Sequence, residues 1–296
     1  MATLNPRVVF VTRESEYELL MARHGTREQA GFFLQSRGQH LDAVEARHLR
    51  LSVALKICRT AIRDDWRQAL LKRTDFDRFL FGPEDIIVAV GQDGLVANIA
   101  KYLKGQPVYG VNPDPQSYDG VLTCFSPAMF ADAISSGSAQ FEARTMVMAS
   151  LDDGAKLIAL NEIFVGHRSH QSARYDIKVD DDQEFHSSSG LIVTSGTGAT
   201  GWARSIMEAT QTKFSLAPCD ARLGLFVREP FPSIATGTAI SARQIERKHA
   251  VTVTSRMNEG GIIFADGIEK DHLLFDWGRI ASISVADQHL NLAIAA

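Results

Sequence analysis

The chain has 296 residues, 45% of them hydrophobic and 22% charged, with a formal net charge of −4. That length buries a sizeable core and divides most naturally into two domains, and the charge leaves no bulk basic field to hold nucleic acid or an anionic membrane. No apolar run approaches a membrane span and the opening MATLNPRVVF lacks the apolar core of a signal peptide, while Cys58, Cys124 and Cys219 are too few and too scattered for a disulfide framework or spaced zinc site, so a soluble cytoplasmic protein is the expectation.

In chain order, Arg7–Thr12 (RVVFVT) reads as a short buried strand, and Glu14–Met21 and Arg27–Ser36 read as helices, the second ending near Gly38. Val44, Leu51, Leu55, Cys58 and Ile62 form a stripe at helical spacing, and Trp66–Leu71 reads as a further helix. Ile86–Val90 is a buried strand. It runs into Gly91-Gln92-Asp93-Gly94 and then a helix with Val96, Ile99, Ala100 and Leu103 on one side. Pro107–Val111 is another short strand, followed by Asn112-Pro113-Asp114-Pro115.

Strands alternating with helices imply a parallel sheet, in which ligands bind beyond the carboxyl ends of the strands. Both the Gly91–Gly94 and Asn112–Pro115 segments fall on that edge. A strand, a glycine turn and a helix present backbone N–H groups to a phosphate, and glycine permits positive φ and close approach. An aspartate inside such a turn repels phosphate, which makes sense if Asp93 handles a hydroxyl that attacks the phosphate. Gly-x-Asp-Gly after a strand is also an ordinary turn. His24, His40 and His48 lack metal-like spacing, and His24-Gly25-Thr26 reads as a helix cap.

After about Ser126 the pattern turns to strands. Phe141–Ser150, the turn Asp152-Asp153-Gly154 and Lys156–Val165 read as a hairpin, with further strands at Ala173–Val179, Gly190–Thr194, Leu223–Val227, Ala250–Thr254, Gly261–Phe264 and Ile280–Val285. Asp180-Asp181-Asp182 reads as a solvated turn. Two features stand out in this half. Asn161-Glu162 interrupts an apolar strand, so one of the pair faces the interior unless a bulge intervenes, and a buried Asn or Glu needs partners that a sugar diol supplies; an edge-strand polar pair is the plainer alternative. Leu191–Met207 (LIVTSGTGATGWARSIM) runs from a strand through a loop bearing Thr194, Ser195, Thr197 and Thr200 into a helix, a loop suited to phosphate, ribose or adenine edges, or simply a glycine-rich connection.

Gly-x-Asp-Gly, then Asn-Glu, then a Thr-Gly-rich loop entering a helix resembles, in that order, the ATP-dependent NAD kinases. The phrases VVFVTRESEYE, YGVNPDPQSYDG, ALNEIFVG, SSGLIVTSGTGATGW and VREPF are similar to the mitochondrial-type branch, from about residue 7 to Ala265-Asp266-Gly267. The resemblance implies a Rossmann-like α/β domain over residues 1–124 and a β-sandwich-like, β-rich NAD-binding domain over 125–296, whose last residues can pack back on the first, with the active site between them. It implies phosphorylation of the adenosine-ribose 2′-hydroxyl of NAD by Mg-ATP to give NADP. ATP, Mg²⁺ and NAD are the implied small-molecule partners, and a homodimer or homotetramer the implied assembly. Position by position, Asp93 matches the acid that orients or deprotonates the acceptor hydroxyl, and Gly91 and Gly94 the phosphate-facing glycines. Asn161 and Glu162 match the ribose-binding pair. Thr197 belongs to the Thr-Gly loop, while Thr200, Gly201, Trp202 and then Ser205 match positions lining the dinucleotide pocket. No metal-ligating residue is implied.

The chain departs from the pattern at Gln92, where the family has glycine, at Leu95, where it has Thr or Ser, and at Ser189, where bacterial-type members have Asp. Two other readings stand beside the kinase. One is a lipid or sugar kinase sharing the Gly-x-Asp-Gly chemistry, and the other a dinucleotide-binding sensor in which Gln92 and Leu95 mark lost transfer.

Overall fold

A computed structural model describes residues 5–295; Met1–Leu4 and Ala296, which the expected domain limits include, lie outside it. By internal contacts the chain forms two compact units, one running to Glu142 and resuming at Asn291, the other Ala143–Leu290.

The first unit contains β1 (Arg7–Thr12), α1 (Glu16–His24), α2 (Arg27–Gln35), α3 (Leu41–Thr60), β2 (Arg67–Lys72), β3 (Ile86–Val90), α4 (Asp93–Ala100), β4 (Pro107–Val111) and α5 (Pro127–Ser136). Local chemistry sets several boundaries. Ser15 closes a capping box with Glu18 at the start of α1, Thr26 caps α2, and Ser126 followed by Pro127 starts α5. The strands lie in the order β2-β1-β3-β4, all parallel. The end of the last strand, introduced below, adds to β4 through Asn291 opposite Pro107 and Leu292 opposite Val108. Val8, Phe10, Val88 and Val90 face Ala54 and Cys58 of α3 and Phe130 of α5 in one apolar cluster. Burial pushes the Cys58 thiol up to about 12, as for an inert core residue.

The Trp66–Leu71 helix is not formed. Arg67–Lys72 is an edge strand paired with all of β1, exposed at most positions and buried at Leu71. Its Gln, Ala, Leu and Lys residues favour helix by weak intrinsic propensity, and the open edge of a sheet outweighs that preference.

The second unit takes up β5 (Gln140–Leu151), which begins in the first, and continues with β6 (Lys156–Ala159), β7 (Glu162–His167), β8 (Ala173–Val179), β9 (Asp182–Ser188), β10 (Leu191–Thr194), α6 (Trp202–Thr210), β11 (Arg222–Val227), β12 (Ala242–Glu246), β13 (Val251–Ser255), β14 (Gly261–Ala265), β15 (His272–Leu274) and β16 (Ile280–Ile294). One layer is β16-β13-β8-β9, with β5 paired to β16 and β6 to β5; the other is β12-β11-β10-β7-β14-β15. Alternate residues of both layers, such as Tyr175 and Ile177 of β8 and Ile163 and Val165 of β7, close one core between them. The outer face of the second layer carries Phe164, Ile192, Phe226, Ile262 and Phe264, and α6 lies on it through Ala203, Trp202, Ile206 and Met207. The fold is therefore a parallel α/β unit and a β-sandwich unit.

The expected single strand Lys156–Val165 is instead two. β6 pairs with β5 in one layer and β7 with β10 and β14 in the other, and the chain changes layers at Leu160-Asn161. Apolar residues on both sides of the break hide it from a periodicity reading. Among the described residues no helix is long and apolar enough to cross a membrane.

Candidate functional site

In the first unit the predicted loop lies where β3 ends and α4 begins. Gln92 takes the N-cap position with extended backbone (φ −93°, ψ 163°), so a side chain is accommodated there without strain. Neither Gly91 nor Gly94 adopts a positive φ, so the loop does not draw on that freedom of glycine. At Gly94 a Cβ would point into open space, which leaves the backbone approachable, whereas at Gly91 it would press on Leu95 Cδ2 at 3.2 Å. Leu95 thus packs under the loop where the family pattern has a hydroxyl.

Asp93 is more occupied than its predicted role requires. Its Oδ1 accepts hydrogen bonds from the Leu122 and Thr123 N–H groups and the Thr123 hydroxyl, and its Oδ2 accepts one from the Val121 N–H, all at 2.9 Å. A carboxylate offers about four acceptor sites in all, two on each oxygen. The uneven distribution leaves acceptor capacity on Oδ2. Asp93 therefore fastens the 121–123 segment as well as standing at the helix start.

The second predicted segment shares this edge: Gly91 N–H donates to Val111 O, Asp114 N–H to Asn112 Oδ1, and Arg50 pairs with Asp114 at 2.8 Å. A cavity of about 130 Å³ lies against both segments, and Arg13, Arg47 and His48 also line it. Gln92 Oε1 accepts a 2.8 Å hydrogen bond from Arg13 there. His48 Nδ1 meets Ser15 Oγ at 2.8 Å.

In the second unit Asn161 and Glu162 sit at the layer change, beside the Thr-Gly loop. Ser195 N–H donates to Asn161 O at 2.8 Å and Thr194 Oγ1 to the same oxygen at 3.1 Å, while Ser195 Oγ donates to Leu160 O. Ser195 Oγ also accepts from the Thr197 and Gly198 N–H groups, so one buried serine ties the loop to the Asn-Glu pair. Gly198 is required here. A Cβ on it would stand 2.3 Å from Asn161 O and 2.4 Å from Thr194 Oγ1. The Thr200 hydroxyl is spent on Thr197 O at 3.0 Å, within a short 3₁₀ turn over Gly198–Thr200.

Three polar groups at this place lack hydrogen-bond partners among the described residues. The Glu162 carboxyl is one, on a residue only 9% exposed; the half-buried Asn161 carboxamide is another, and the third is the Thr197 Oγ1, whose residue is 4% exposed. Of the three, the Thr197 Oγ1 is fully buried, and leaving such an atom unpaired costs about 1–3 kcal/mol. Burial, followed by the neighbouring negative charge of Asp266, pushes the Glu162 carboxyl up from its ordinary 4.5 to about 7. This set can accept and donate to adjacent hydroxyls of a sugar.

Gly201, Trp202 and Ser205 continue from the loop into α6. Trp202 stacks on Phe164 (5.8 Å between ring centroids, 15° between planes), and the Arg228 guanidinium lies 4.8 Å over the Trp202 ring. Trp202, Ser205, Phe226 and Arg228 help to line a cavity of about 410 Å³. Two contributors escaped the sequence reading, Thr123 and Asp266. The Asp266-Gly267 dipeptide is a turn signal, but only the fold reveals what that turn holds.

A parallel α/β unit and a β-sandwich unit, each with a glycine-containing strand-to-helix loop beside polar groups, define a class of two-unit proteins with loops suited to nucleotide chemistry. No family model matches the chain. It is 26% identical over 215 residues to the NAD kinase of Chlorobaculum tepidum, covering 70% of this chain and 71% of that protein. It is 25% identical over 256 residues to the mitochondrial NAD kinase 2 of Rattus norvegicus, covering 68% of this chain and 60% of the relative, less than two thirds of the relative's length. Its fold is that of an NAD kinase from Archaeoglobus fulgidus, crystallised in complex with ATP, at a TM-score of 0.59 and 20% identity over 97% of this chain and 92% of that one. The two sequence likenesses support an NAD kinase family assignment.

Proposed function

We propose that this chain is an NAD kinase that transfers the γ-phosphoryl group of Mg-ATP to the 2′-hydroxyl of the adenosine ribose of NAD, giving NADP. The names of the relatives support a kinase acting on NAD. The observation that carries it for this chain is the buried Glu162 carboxyl, unpartnered beside the open Asn161 carboxamide and the Thr197 hydroxyl. A ribose diol satisfies such a set: Glu162 accepts from hydroxyls, and Asn161 donates and accepts.

Thr200, Gly201, Trp202 and Ser205 line the rest of the dinucleotide pocket in this reading, and Gly91 and Gly94 face the phosphates of the donor. Phosphoryl transfer depends on positioning and charge stabilisation more than on covalent catalysis. Asp93 uses the acceptor capacity of Oδ2 to take the 2′-hydroxyl proton as the oxygen–phosphorus bond forms and the bond to the departing ADP breaks. Among the described residues no group of three or more His, Cys, Asp or Glu is placed to hold a metal ion. In this reading Mg²⁺ enters with the nucleotide substrate and neutralises phosphate charge. The protein acts as a homodimer or homotetramer.

The test is purified protein with Mg-ATP and NAD, followed by an NADP-specific enzymatic readout, with other nucleoside triphosphates and polyphosphate as donors and NADH as a second acceptor. NADP formation with at least one donor is the expected result. A second reading, dinucleotide binding without transfer, is favoured by Leu95, which fills the loop with hydrocarbon and is 3% exposed. Calorimetric binding of NAD with no NADP from any donor establishes the second reading and refutes the first.

A further inference from the structure

The layer change that presents Asn161 and Glu162 is held from two sides. On the carbonyl side stand Thr194 and Ser195, described above. On the amide side stands one carboxylate: Asp266 Oδ1 accepts the Asn161 N–H at 2.7 Å and Oδ2 accepts the Leu160 N–H at 3.0 Å. The Asp266 N–H in turn donates to Glu162 O at 3.1 Å. Every backbone polar group of the Leu160-Asn161 step thus has a named partner, and both of its N–H groups depend on the same side chain.

Asp266 is placed for this by its own strained backbone. It follows β14, whose Ala265 pairs with Ile163 of β7, and it takes φ 50°, one of four non-glycine residues with positive φ among those described. Asp and Asn tolerate that region better than other side chains, and such outliers cluster where geometry is over-determined for function. The same carboxylate also places a negative charge beside Glu162 and contributes to the raised proton affinity of that group. A turn needed only to end β14 would require neither a bidentate grip on another strand nor a second charge beside a buried acid.

We propose that Asp266 is a positioning residue, which by gripping consecutive amides of Leu160 and Asn161 holds the Asn161-Glu162 pair in the arrangement that receives the acceptor dinucleotide. The inference rests on the reading of that pair as the dinucleotide-binding site. Groups of this kind must be held to fractions of an ångström to work, and loosening a supporting contact costs tenfold or more.

Asp266→Asn and Asp266→Gly in the full chain test it. Asparagine keeps tolerance of the backbone region and one acceptor for the two amides. Glycine keeps the backbone freedom and removes both acceptors. Both variants are expected to weaken NAD binding, measured by calorimetry, by about tenfold or more, glycine more than asparagine. The KM for the phosphate donor should stay within about twofold, while amide hydrogen exchange rises across 160–163. A purely structural role lowers the active fraction and leaves the affinity of the folded remainder unchanged. Unchanged NAD affinity in the folded Asp266→Asn protein overturns the proposal, as does an equal rise in the donor and acceptor KM values. If Asp266→Gly does not fold, Asp266→Asn alone decides. An unaltered chain that binds no NAD refutes the underlying reading of the site and takes this inference with it, a result distinct from failure in the variants alone.

Discussion

Glu162→Gln isolates the cost of keeping an ionisable group in the second unit. The native Glu162 carboxyl is pushed up to about 7, first by burial and then by Asp266, whereas the unfolded chain ionises it near 4.5. The folded state therefore binds this proton more tightly than the unfolded state, so stability is greatest below pH 4.5 and falls as pH rises through about 7. Each tenfold difference in proton affinity is worth about 1.4 kcal/mol, which makes the full cost about 3 kcal/mol. At pH 5.5 roughly 1 kcal/mol of it is already present, leaving about 2 kcal/mol to appear by pH 8.5. Glutamine is nearly isosteric and does not titrate.

Urea unfolding of the ligand-free wild type and Glu162→Gln at pH 5.5, 7 and 8.5 measures the difference directly, and the histidines cancel between the two proteins. The variant should gain about 2 kcal/mol on the wild type across that range. A difference that stays constant with pH refutes the assignment of a buried, high-affinity proton to Glu162. Binding adds a second reading of the same group. A ribose diol donates to the ionised carboxylate, so NAD affinity in the wild type should strengthen as pH rises through about 7 and be flat in Glu162→Gln.

Asp93→Asn can turn its carbonyl oxygen to the three donors on Oδ1 and its NH₂ group to Val121, losing one hydrogen bond. It should cost about 1–3 kcal/mol in thermal unfolding and, with NAD binding kept, about 10²–10⁴-fold in turnover; unchanged turnover removes Asp93 from the proton-accepting role. Gly198→Ala forces a methyl group against Asn161 O and Thr194 Oγ1, so it should destabilise the second unit by about 1–3 kcal/mol and weaken NAD binding together. A folded Gly198→Ala protein with wild-type affinity would show that the loop and the Asn-Glu pair are independent.

What the sequence makes legible is what local patterns determine. β1, β3, β4 and β8 have the limits that alternation and burial predict, because β1, β3 and β4 are short apolar runs and β8 alternates buried with more exposed residues. The Trp66–Leu71 segment reads as helix because its residues prefer that form, while its place is decided by an unpaired edge of β1, information held elsewhere in the chain. β9, β12, β15 and α5 carry little local signal for a related reason. In β9, Asp182–Ser188 is polar at most positions and earns its strand from pairing with the whole of β8.

The candidate site divides along the same line. The types of residue at Asp93, Asn161, Glu162 and Thr197 point to their chemistry, since a carboxylate in a glycine turn or a polar pair in an apolar run stands out against its surroundings. What holds those residues does not stand out. Thr123 lies 30 positions from Asp93, and Asp266 more than a hundred from Leu160 and Asn161, each joined to its partner only through the folded backbone. Asp266 also shows why a turn signal alone underdetermines function: Asp-Gly after a strand states that the chain reverses, and only the register of β14 against β7 aims the carboxylate at the layer change. In each unit the candidate chemistry thus lies in residues that stand out from their sequence surroundings, and the hold on them in residues remote in sequence.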